Sequence, residues 1–267
     1  MTHSPSLPVL RAVLLGASNL KMGLPAVVGH LRRAAPGPVE VLAACGHGRS
    51  YVQWSRIFFG ARALPGISGC GLWQALAGRP PLPTVALLTD AGNDLLYGPT
   101  TEEIAAGFGE CLRRLTALPA PSMDIVALPL PLVSLEKLST FRYHAARTIL
   151  FPGRGEPWAS LLERARDLDR RLRRLADEHG AHLVEPQEAW YGIDPIHFRR
   201  RLRRQAWDHI LSSWPLHPMD RLPEAPPDGV RWRVPLAGSE ELRLFGRPCR
   251  TAQPVCRLAD GSTVALY

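Results

Sequence analysis

Lysine is almost missing from this chain: it stands only at Lys21 and Lys137, and the rest of the 32 basic residues are arginine. With 26 prolines and 23 glycines in 267 residues, the skew reads as compositional bias. The formal charge of +8 is therefore no sign by itself of a polyanion partner, although Arg199, Arg200, Arg201, Arg203 and Arg204 form one basic stretch. That stretch is read as a solvated helix face, with no nucleic-acid partner expected. A long apolar run is lacking as well. Nothing approaches the roughly 18 apolar residues of a membrane helix, so no membrane insertion is expected. The first basic residue, Arg11, follows the short apolar segment 8–10, and residues 12–15 are too few for an export segment. Cysteine occurs five times, at 45, 70, 111, 249 and 256, without metal-ligand spacing. Reduced thiols in the cytoplasm are expected; only Cys249 and Cys256 could pair in an exported protein. Repeats, low-complexity tracts and the dinucleotide spacing G-x-G-x-x-G are absent too.

What remains is a 46% apolar chain long enough for one α/β domain with an appendage, or two small domains. Short apolar runs alternate with segments of helical period, the pattern of a parallel sheet with crossover helices. Strands are expected at 11–15, 39–43, 84–88, 124–128 and 182–184. Leu24, Val27, Val28 and Leu31 share one helix face, with Pro25 suited to a first helical position. Tyr51, Trp54, Ile57, Phe58 and Phe59 suggest another helix. Thr100 and Glu103 make a capping box opening a helix through about residue 115. Residues 129–156 form a long connection of the kind that becomes a lid or substrate wall. Trp158, Leu161, Leu162, Ala165, Leu168, Leu172 and Leu175 then draw an amphipathic stripe, and 198–214 reads as a closing helix. Residues 1–214 are taken as the main domain. Residues 215–267 are taken as a proline-rich linker with a small β-hairpin extension, Asp260-Gly261 being a hairpin turn.

Four short segments carry the chemistry. Ser18 follows the first strand and precedes a helix, at the sheet edge where open α/β folds bind ligands; it also suits a helix cap. Gly46 and Gly48 follow the second strand, either as backbone oxyanion donors or as ordinary strand-ending glycines. Asn93 follows the third strand, its amide able to donate to the same oxyanion or to shape an Asx turn. Asp94 beside it is read as fixing that loop. His197 lies in a late loop with Asp194 three residues before it. The carboxylate can hold the imidazole tautomer that takes a serine proton, although a loop histidine is also common surface decoration. His47, between the two glycines, is a further histidine of interest. Trp54, Phe58, Phe59, Trp73 and the 129–156 connection could wall an acyl or sugar pocket, or be core.

These four segments, spanning residues 11 to 200, resemble the SGNH (GDSL-type) hydrolase superfamily. The resemblance implies a three-layer α/β/α sandwich around a five-stranded parallel sheet of flavodoxin-like order. It makes Ser18 the nucleophile and first oxyanion donor, Gly48 and Asn93 the other donors, His197 the base and Asp194 its orienting acid. Gly48, in Gly48-Arg49-Ser50, matches the family glycine better than Gly46. The chemistry implied is hydrolysis of a small-molecule ester or thioester through an acyl-enzyme, with no metal or organic cofactor. Two positions depart from the pattern. Ala17 replaces an acidic residue that braces the nucleophile turn, and Ala91 stands where the family has glycine. They leave open a catalytically silent binding protein of the same fold, or an acyltransferase to a sugar or other alcohol. Substrate and oligomeric state leave no mark in the sequence.

Overall fold

The computed structural model describes residues 7–57, 60–137, 157–192, 194–216 and 238–267. The first strand, β1 (Leu10–Gly16), is buried along its whole length, and β2 (Val39–Cys45) lies parallel to it on one side. On its other side run β5 (Thr84–Leu88), β6 (Met123–Ala127) and β7 (His182–Leu183), all parallel. The order β2-β1-β5-β6-β7 is the expected five-stranded flavodoxin-like arrangement. β1, β2 and β5, buried on both faces, read as largely apolar runs, which is why the sequence located them within a residue or two; β7 is short and partly exposed. One polar intrusion is Arg11 in β1, 4% exposed, which donates to Glu40 of β2 at 2.7 Å.

Two apolar clusters cover the two faces of the sheet, making three layers. On one face lie α1 (Ser18–Ala34) and α6 (Arg203–Leu211). On the other lie α2 (Leu72–Ala77), α3 (Thr101–Thr116) and α5 (Trp158–Glu178). The capping box before α3 is formed: the Glu103 N–H donates to Thr100 Oγ1 at 3.2 Å and the Thr100 N–H to Glu103 Oε2 at 2.7 Å. A short helix, α4 (Leu132–Glu136), follows β6; the rest of the expected lid segment, residues 138–156, lies outside the described residues.

Three expectations need correction. Pro25 is not at a helix start: α1 begins at Ser18, and Pro25 sits inside it, where it leaves one intrahelical bond unmade. Residues 51–57, the described part of the aromatic segment, form no helix but include β3 (Ser55–Ile57), paired antiparallel with β4 (Arg62–Leu64). Its strand partners come from the far end of the chain, which local periodicity does not reveal. There β8 (Glu241–Leu244) and β9 (Arg247–Arg250) complete a four-stranded sheet in the order β3-β4-β8-β9. The closing helix is shorter than expected, because residues 198–202 are the loop that follows His197.

The C-terminal β-rich stretch also extends the main sheet. β11 (Thr263–Leu266) lies parallel to β2, and β10 (Cys256–Arg257) pairs antiparallel with β11, across a turn in which Gly261 has φ 90°. Among the described residues the main sheet thus has seven strands. All five cysteines are free thiols, and no described helix is long and apolar enough to cross a membrane.

Candidate active site

β1 is flanked by β2 on one side and β5 on the other, so the chain reverses its direction of winding between β1 and β5. In open α/β sheets that reversal opens a crevice at the carboxyl ends of the strands. Ser18 follows β1 there, and Asp90, Ala91, Gly92 and Asn93 follow β5. Tyr51 spans the crevice floor, its hydroxyl donating to the carbonyls of Leu15 at 3.3 Å and Thr89 at 3.0 Å.

Ser18 does not cap its helix: no side-chain cap bond forms at the start of α1. Its Oγ lies 2.7 Å from Nε2 of His197, although 179 residues separate them in sequence. Nδ1 of His197 lies 2.5 Å from Oδ2 of Asp194. The other carboxylate oxygen of Asp194 accepts from the backbone N–H groups of Ile196 at 3.0 Å and His197 at 3.2 Å, folding the loop around its acid. Phe198 anchors the loop in an aromatic cluster, its ring 5.6 Å from Trp190, 5.5 Å from Tyr191 and 5.6 Å from Trp207. Burial disfavours the imidazolium of His197, but the hydrogen bond and charge of Asp194, with Asp90 behind, outweigh it and hold the pKa above its ordinary value.

Asn93 lies on the wall of the same cavity as Ser18, and its amide nitrogen is buried with no hydrogen-bond partner among the described residues. A buried donor without an acceptor costs free energy unless a ligand supplies one. As the first residue of α1, Ser18 carries an N–H that has no intrahelical acceptor. Gly48 is partly exposed with φ 59°, a conformation that favours glycine, and its carbonyl accepts from the Tyr97 hydroxyl at 2.6 Å. Gly46, by contrast, is buried so tightly that an added Cβ would stand 2.3 Å from Leu64 Cδ1. Asp94 ties the second and third segments together, accepting from the Ser50 hydroxyl and from the Tyr51 N–H at 2.9 Å. Burial pushes its pKa up to about 6 despite those bonds. His47 is lowered, by burial first and then by the charges of Lys21, Arg62 and His197. Among the described residues no group of three or more His, Cys, Asp or Glu is placed to hold a metal ion.

No family model matches the sequence, and no curated protein does. Solved structures do match. One, 18% identical, aligns over 76% of this chain and 96% of its own with a TM-score of 0.51. A carbohydrate acetylesterase family member from Sinorhizobium meliloti is 18% identical over 75% of this chain and 95% of its own, with a TM-score of 0.48. The native M. smegmatis aryl esterase is 18% identical over 76% of this chain and 95% of its own, with a TM-score of 0.45. At these identities the likeness is one of overall fold.

Of the two departures from the SGNH pattern, the structure supplies a substitute for one. Ala17 brings no carboxylate to the turn before Ser18, but Asp90 does so from the end of β5. One oxygen of Asp90 accepts from the N–H groups of Ala17 at 2.9 Å and Leu20 at 3.3 Å; the other accepts from the Asn19 amide at 2.9 Å. Asp90 holds φ 63°, a left-handed conformation uncommon for a residue other than glycine or asparagine. Asn19 continues the chain of contacts. Its amide also donates to the Ile196 carbonyl at 2.8 Å, and its oxygen accepts from the Phe198 N–H at 3.0 Å. The backbone on both sides of His197 is therefore clamped by the residue next to Ser18. Sequence reasoning gave no role to Asp90 or Asn19. The available signal was an acid directly after a central strand, and the positive φ that aims it has no sequence signature.

Proposed function

We propose that this chain is a serine-dependent ester or thioester hydrolase working through an acyl-enzyme. The observation that carries the reading is the contact series Ser18, His197 and Asp194, at 2.7 Å and 2.5 Å, at the mouth of the crevice. As Ser18 Oγ attacks the acyl carbonyl carbon, His197 Nε2 takes the hydroxyl proton, and Asp194 stabilises the imidazolium. The carbonyl oxygen becomes an oxyanion, received by the N–H groups of Ser18 and Gly48 and the amide of Asn93. The position of Ser18 at the amino end of α1 adds the positive end of the helix dipole. Collapse of the intermediate expels the alcohol or thiol, which takes the proton from His197. Water, deprotonated by the same imidazole, then releases the acid. The brace from Asp90 supports an active enzyme over a silent binding protein, since it restores the carboxylate that Ala17 lacks.

Hydrolysis of p-nitrophenyl acetate by the wild type, Ser18→Ala and His197→Ala tests the reading, together with labelling by a fluorophosphonate probe. Loss of turnover in both variants, with labelling only where Ser18 is present, is expected. Asn93→Ala should lower turnover by about 100-fold or more. Equal activity in the wild type and both triad variants would refute the assignment.

A further inference from the structure

Of the residues expected as pocket walls, the start of the 129–156 connection does line the cavity, through Pro129, Leu130, Pro131 and Leu135, whereas the two tryptophans lie elsewhere. Trp54 lies under the Arg243 guanidinium, 4.5 Å from its ring centroid, and Trp73 packs into the core, donating to the Ile67 carbonyl at 2.8 Å. Phe58 and Phe59 lie outside the described residues. A cavity of about 90 Å³ does open beside Ser18, on the side of β6. Its far walls are apolar, formed by Leu96, Leu130, Leu135 of α4, and Leu161, Leu162 and Ala165 of α5.

The polar groups on the wall are mostly committed elsewhere. Asp90 is taken up by Ala17, Leu20 and Asn19, and Asn19 by Ile196 and Phe198. Tyr191 adds one hydroxyl on a ring that packs against Phe198. The donors left for an incoming carbonyl, Ser18 and Asn93, stand together at one end. A sugar ring would need acceptors and donors along its whole edge, whereas a carbonyl followed by a hydrocarbon chain needs them only at its head. His197, which protonates the leaving group, is not on this wall, so the leaving group departs on the other side. The part of the substrate that enters the cavity is then the acyl part.

We propose that this cavity binds the acyl chain of a medium-length aliphatic ester or thioester, which makes the enzyme selective for chains longer than acetyl. The proposal rests on the hydrolase reading above for its catalytic consequence, but the cavity's affinity for a hydrocarbon chain can be measured without turnover. Each buried methylene contributes about 0.8 kcal/mol, or about fourfold in affinity. Partial burial should still raise kcat/KM by at least about tenfold from the p-nitrophenyl acetate to the hexanoate.

The series acetate, butanoate, hexanoate, octanoate and decanoate reads this directly in the wild type. Leu162→Trp, which fills the cavity from a partly exposed helix position, should lower the hexanoate-to-acetate ratio, with circular dichroism verifying the fold. Binding of methyl hexanoate and methyl acetate to Ser18→Ala, measured calorimetrically, supplies the readout independent of chemistry. Binding of the hexanoate but not the acetate, weakened by Leu162→Trp, supports the cavity's role even if no ester is turned over, an outcome that would instead sink the hydrolase reading. Turnover that depends on Ser18 with a flat chain-length series, and no preference for methyl hexanoate, overturns the proposal and leaves the hydrolase reading intact.

Discussion

Replacing Asp90 by Asn probes how the candidate nucleophile Ser18 and candidate base His197 are held in register, because the change preserves shape and tolerance of the left-handed backbone while removing one acceptor oxygen. In the native arrangement one oxygen serves the Ala17 and Leu20 N–H groups, and the other serves the Asn19 amide. An asparagine can satisfy only one of these sets and must aim its own NH₂ at the other. Asn19 cannot turn over to compensate, since its amide and carbonyl are fixed by Ile196 and Phe198. Hydrogen bonds to a charged group contribute about 1.5–3 kcal/mol, and a buried donor left facing another donor costs about 1–3 kcal/mol. A net loss of about 2–3 kcal/mol of stability is expected, which at about 2–4 °C per kcal/mol lowers Tm by roughly 5–10 °C. The catalytic effect should be larger than stability alone explains. Loosening the link between Ser18 and the His197 loop should disturb their 2.7 Å contact, through which the proposed proton transfer runs, and errors of about 1 Å can cost on the order of 100-fold. Steady-state kinetics on p-nitrophenyl acetate should show kcat falling about 10- to 100-fold with KM little changed, and slower fluorophosphonate labelling. Asn19→Ala should do the same, and the double variant should be far from additive because both act through one chain of contacts. An Asp90→Asn protein with kcat within twofold of wild type, or a double variant whose effects simply add, would refute the reasoning.

The pH profile follows from His197. Its pKa is held above the ordinary 6.5, so kcat/KM should decline on the acid side with a midpoint above that value. Asp194→Asn removes the largest interactions that raise the pKa, leaves only the charge of Asp90 against the desolvation that lowers it, and should move the midpoint to lower pH as well as slow the enzyme. A midpoint that stays fixed or rises in the variant contradicts the assignment of Asp194. Packing between α1 and α6 gives a separate test. A Cβ on Gly23 would come within 1.9 Å of Nε1 of the fully buried Trp207, so Gly23→Ala should destabilise by about 3 kcal/mol despite the better helix propensity of alanine. Urea unfolding measures this, and stability equal to or above wild type would show that the two helices are not held as described.

Sequence alone determined the parts governed by neighbours along the chain. The parallel strands were legible because burial on both faces demands unbroken apolar runs, and the start of α3 because both halves of the Thr100–Glu103 capping box lie within four residues. The candidate nucleophile, oxyanion donors and base were legible because each follows a strand or occupies a short loop of recognisable type. Tertiary structure decided whatever joins distant segments. Only the assembled sheet brings Ser18 to His197 across 179 residues, lets Asp90 supply the carboxylate missing at Ala17, and turns Asn19 from an unremarkable neighbour into the clamp on the histidine loop. The small second sheet and the apolar cavity belong to the same class, since β8 reaches back to β4 and α5 reaches over β6. The physical reason is range. Propensity, capping and periodicity act over a few residues, whereas a hydrogen bond or a shared cavity wall depends only on distance in space.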